Sequence, residues 1–240
     1  MSWEVEILGD ETVLRALGKA LEDQEWIIME KDGHFVLTGP VFTKFTDAES
    51  VREHGKKIIQ SLSGMARLLL GTEKKISPGA VFEITENGGK NIFITPDPVV
   101  LKLSASMAVS AIVISKDGKI IEESRPADPA PAILKKSLAH EVVERALRLR
   151  NEDDLDWVKL YRLFEVIESD VPIDVMVANG WASRNKISLF KQTANSQKAL
   201  GDQARHGKDP CLPPPKPMKI SEAREMIDAL LKKWLLGKEE

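Results

Sequence analysis

Residues 124–132 read SRPADPAPA, and they separate two textures of chain. Three prolines and no large apolar side chain leave nothing to anchor the stretch in a core. Proline also removes backbone donors, so residues 124–131 are expected to link an N-terminal domain, 1–123, to a C-terminal one, 132–240.

Working back from the linker, the pattern is that of strands. Trp3, Val5 and Ile7 alternate with Glu4 and Glu6, as in a half-buried strand. Asp10 is placed to cap a helix carrying Val13, Leu14, Leu17 and Leu21. Strands at 26–31 and 34–38 flank Asp32-Gly33, a hairpin signal because glycine tolerates positive φ. Thr46 and Glu49 have capping-box spacing at the head of a long helix burying Val51, Ile58, Ile59, Leu62, Met65 and Leu69, and Gly71 suits its end. Beyond Pro78, strands at 80–85, 91–95, 99–103, 107–114 and 119–122 alternate with Asn87-Gly88-Gly89 and Asp117-Gly118 turns. The expectation is an α+β domain, an antiparallel sheet with two helices on one face.

Working forward, the strand signal vanishes. Helices are expected over 133–149, 155–169, 174–178 and 184–206, and from a Ser221 cap onward. An all-helical bundle of four or five helices is the second domain. Asp209-Pro-Cys-Leu-Pro-Pro-Pro-Lys-Pro217 must be extended between the last two helices, either as a stiff connector or as a polyproline ligand.

The 240 residues are 42% hydrophobic and 30% charged, ordinary for a globular protein. The longest apolar run, 107–114, falls far short of the roughly 20 residues that span a bilayer. The start, MSWEVEILGDE, lacks the basic opening and apolar middle of a secretory signal. Cys211 stands alone, which rules out an internal disulfide and suits a reducing cytoplasm. The net charge of −3 is uneven: residues 1–131 hold 15 basic and 20 acidic side chains, residues 132–240 hold 19 and 17. Within 183–219 the balance is eight to two. A local basic excess is either a solvated face or a surface that attracts a polyanion.

Signatures of common chemistries are missing. No phosphate-binding loop, dinucleotide fingerprint or Gly-x-Ser-x-Gly elbow occurs. His34, His54, His140 and His206 show no metal-ligand spacing, and His206 with Cys211 lacks visible further ligands. No cofactor is implied. What remains is the stretch from Arg184 to His206. Wound as one helix, it sets Arg184, Ser188, Lys191, Asn195, Asp202 and His206 on one stripe, opposite Ile187, Leu189, Phe190, Ala194, Leu200 and Ala204. That stripe is either the wet side of an amphipathic helix or a site. With Lys208 it offers phosphate-binding cations, an amide and an imidazole, so RNA or a nucleotide is the expected ligand. The other candidate class is a non-catalytic interaction module whose N-terminal sheet holds a protein partner.

A helix ending in His206-Gly207, a loop, and the amphipathic SEAREMIDALLKKWL helix together resemble the HEPN superfamily, helical domains of prokaryotic defence and RNA-processing proteins. The resemblance covers roughly the last 90 residues. Catalytic members cut RNA, generally across a dimer interface, with an Arg (usually followed by Asn) a few residues before the His. Here Gly201-Asp202 stands where that pair belongs, and the arginine is Arg205, beside the histidine; Arg184-Asn185 has no histidine at the needed distance. The resemblance implies His206 as base, Arg205 as its cationic partner and a homodimer, while the displaced arginine puts cleavage in doubt. Cleavage needs a base for the 2′-hydroxyl and a cation for the phosphate.

Overall fold

The computed structural model describes residues 2–22, 27–86, 89–94, 111–114, 120–124, 129–206 and 212–237, with backbone alone at 27, 111–114 and 120–124. The expected strand at 99–103, the start of that at 107–114, the Asn87-Gly88 and Asp117-Gly118 turns, Gly207, Lys208 and Cys211 lie outside them. The chain forms two compact units, Met1–Leu138 and Ala139–Glu240.

The first unit is α+β. Strands β1 (Ser2–Leu8), β2 (Ile27–Lys31), β3 (His34–Thr38), β4 (Ser77–Ile84) and β5 (Lys90–Phe93) form an antiparallel sheet ordered β2-β3-β1-β4-β5. The first strand of the chain is thus the central one, flanked by partners far away in sequence. Val5 lies beside Leu37 and Val81, and all three are buried. Helices α1 (Glu11–Ala20) and α2 (Ala48–Leu70) pack against the sheet and against each other. Gly55 lets α2 approach β1 closely, because a Cβ there would stand 2.8 Å from a Val5 methyl.

The caps follow local chemistry. Asp10 accepts from the Val13 N–H at 3.2 Å, and Gly71 ends α2 in the left-handed region at φ 61°. The capping box at Thr46 is displaced by one residue: Asp47 is the cap, accepting from the backbone N–H and hydroxyl of Ser50, each at 2.8 Å. Strands β6 (Ala111–Ile114) and β7 (Ile120–Ser124) pair as a separate antiparallel ribbon.

Helix α3 (Ala130–Ala139) begins inside the proline-rich stretch, with Pro131 in its first turn, where a missing N–H is no loss. It buries Ala130, Ile133 and Leu134, and the two units divide after Leu138; residues 125–128 of the expected linker lie outside the described residues. The single helix expected over 133–149 is two, since His140 adopts extended backbone (φ −127°, ψ 112°) before α4 (Glu141–Arg150).

The second unit is helical: α4, α5 (Trp157–Asp170), α6 (Ile173–Ala178), α7 (Arg184–Asn195), the short α8 (Gln197–Leu200) and α9 (Ile220–Gly237). Leu160, Phe164, Phe190, Leu230, Leu231 and Trp234 are fully buried at its centre. Polar ties hold the frame. Arg150 makes a two-pronged bond to Asp228 at 2.7 and 3.1 Å, and Trp234 Nε1 donates to Asp170 at 2.7 Å. Helix α9 starts one residue before the expected Ser221 cap, and the Glu222 carboxylate accepts from the Lys219 N–H at 3.0 Å. Among the described residues, no helix is long and apolar enough to cross a membrane.

Candidate functional site

Helices α5 and α7 meet through an aromatic floor. Phe190 stacks on Tyr161 with ring centres 5.8 Å apart, and also touches Phe164 at 5.6 Å and Trp157 at 6.1 Å. Such burial contributes most of what holds two helices together. Above this floor, α5 carries Tyr161, Glu165 and Glu168, spaced four and three residues apart and therefore on one stripe. Helix α7 answers with Lys191 and Asn195.

The predicted continuous helix from 184 to 206 does not form. Asn195 Nδ2 donates back to the Lys191 carbonyl at 2.8 Å, the kind of local bond that competes with the helical ladder. Ser196 then turns extended at φ −96°, ψ 111°. After α8, Gly201 takes φ 59° and opens a 3-10 turn, Gly201–Gln203. The chain doubles back, so that the Arg205 N–H donates to the Ala194 carbonyl at 2.9 Å.

This reversal decides which side chains gather. Asn195 and Arg205, from separate segments, converge on Tyr161: the amide donates to its hydroxyl at 3.3 Å, and the guanidinium lies 4.1 Å from the ring centre. Arg205 also bonds Glu165 at 2.7 Å, and Lys191 bonds Glu168 at 3.0 Å. Two buried oxygens here, Asn195 Oδ1 and Ser196 Oγ, have no hydrogen-bond partner among the described residues. His206 follows Arg205 directly and is exposed, as is Asp202 in the 3-10 turn. With the helix broken, neither shares a stripe with Arg184, which sits at the far end of α7, roughly 16 Å away at 1.5 Å per residue. Arg184 pairs there with Asp174 of α6.

The stripe's two cations, Arg184 and Lys191, and Arg205 beside His206 therefore each meet a carboxylate. Glu165, Glu168 and Asp174 fall outside the basic window of 183–219, so a charge count along the chain could not register them. Their one local trace is the spacing of Tyr161, Glu165 and Glu168 along α5. Among the described residues, no three His, Cys, Asp or Glu side chains gather to hold a metal ion.

No family model, curated protein or solved structure matches this chain.

Proposed function

We propose that the helical unit binds single-stranded RNA or a nucleotide at the end of α7, and that it does not cut what it binds. The observation that carries this reading is the convergence of Asn195 and Arg205 on Tyr161, next to exposed His206. An amide and an imidazole suit the edges of bases and the ribose hydroxyl. The HEPN likeness favours RNA as the ligand class. Cleavage is set aside because the cation it needs is committed: Arg205 is held between Glu165 and the Tyr161 ring.

The test is a titration of labelled single-stranded RNA, and separately of a mononucleotide, into the full chain at low ionic strength. Saturable binding is expected, weakened several-fold in His206→Ala with no change in melting temperature, and the RNA should emerge intact. Absence of binding to both probes defeats the reading. Cleavage lost in His206→Ala defeats its second half.

One observation favours a second reading, docking of a protein on the N-terminal sheet. Among the described strands β5 is an outer one of its sheet, and Ile92 is 58% exposed with Ile94 beyond it at 78%. An outer strand with apolar side chains can accept a strand from a partner. A photo-crosslinker at position 92 of the full chain should then give one discrete adduct that a probe at exposed Lys57 does not. An adduct of twice the chain's mass identifies a second copy, and a featureless smear removes this reading.

A further inference from the structure

We infer that Glu165 and Glu168 determine what part of a ligand the α7 site accepts: by neutralising Arg205 and Lys191 they turn the site toward the uncharged base and ribose and away from the phosphate backbone. This rests on the reading of the site as a nucleotide or RNA site and narrows it.

The argument is one of charge placed by geometry. Glu165 and Glu168 lie three residues apart on α5, and each points at a cation brought by a different segment, Arg205 after α8 and Lys191 within α7. A phosphate approaching either cation must displace a carboxylate and then remain close to it, a like-charge contact that costs affinity. The four groups are 27–42% exposed, so solvent reaches them and the pairs themselves add little to stability. Their charge is felt by a ligand more than by the fold. At the other end of α7, Asp174 stands against Arg184 in the same way. Beside the paired cations stands the Asn195 amide, an uncharged group that bonds the Tyr161 hydroxyl.

Replacing the carboxylates with amides separates charge from shape. In Glu165→Gln/Glu168→Gln the Arg205 stack on Tyr161 and its backbone bond to Ala194 remain, so the segment stays placed. The experiment measures binding of single-stranded RNA and of adenosine, an uncharged probe, over a salt series for the wild-type chain and the double variant. The wild type should bind both with a shallow salt dependence. The variant should bind RNA more tightly at low salt, its slope of log K against log salt steeper by about 1.4, since each phosphate gained on a single strand adds about 0.7. Adenosine binding should be unchanged. Equal slopes and RNA affinities in the two proteins overturn the inference while leaving the binding site standing. A silent wild type with a variant that binds RNA upholds the carboxylates' exclusion of phosphate and removes the binding reading for the natural chain. Silence of both proteins toward both probes removes reading and inference together.

Discussion

His54 on α2 lies between Phe42 and Phe45, ring centres 6.1 and 5.2 Å away, with its Nε2 buried and unpartnered. Burial holds its pKa below the ordinary 6.5, and the charges of Lys44 and Lys57 push the same way. The unfolded chain therefore takes up this proton more readily than the folded one. Stability contributed by neutral His54 is present above the unfolded value near 6.5 and is lost as pH falls through that value toward the lower folded one. The melting temperature should drop as pH falls below about 6.5, and His54→Leu should flatten that part of the curve. An equal slope in both proteins would place the sensitivity elsewhere. Two carboxylates behave alike at lower pH. The Lys74 ammonium holds Asp10 below its ordinary value, while the backbone N–H of Ser50 does the same to Asp47. Both caps lend stability that is lost as acid protonates them.

Between helices, burial separates ties that matter from ties that only look alike. The Arg150 side chain is 6% exposed, and its bidentate bond to Asp228 joins α4 to α9. Asp228→Ala would strand a buried guanidinium and should cost about 3 kcal/mol in urea unfolding. Asp174→Ala breaks a pair whose side chains are 80% and 62% exposed and should cost less than about 1 kcal/mol. Equal costs would contradict this assignment of burial. Phe190→Ala opens the aromatic floor under the site and should cost about 3–5 kcal/mol. At this scale the sequence was readable wherever the signal was local. Asp10 is a cap as its spacing implies, and the apolar faces of α2 and α9 are the buried ones. It was misleading where periodicity runs through a break. Residues 184–206 keep a helical pattern across Ser196, because the wheel cannot weigh the Asn195 back-bond or the freedom of Gly201. Long-range pairing was invisible: nothing in SWEVEIL says that β1 sits at the centre of the sheet, nor that Glu165 and Glu168 will face Lys191 and Arg205.

Across the whole chain, two compact units form, and the candidate site lies wholly in the second, on α5, α7 and the segment after α8. Only part of the stripe foreseen along 184–206 is in the cluster, which Arg205 joins from off that stripe. Asn195 and Arg205 are united on Tyr161, Lys191 is tied to Glu168, and Arg184 lies apart. The central claim is that this cluster is where the protein meets its ligand. Backbone amide shifts of the full 26.7 kDa chain, followed while a short single-stranded RNA is added, test it most directly. The account predicts saturable shifts concentrated at Tyr161, Asn195, Ser196, Arg205 and His206, with those of Arg184 and of β5 unmoved. Shifts confined to β5 or to the Arg184 end of α7, or a spectrum that does not change, would contradict it.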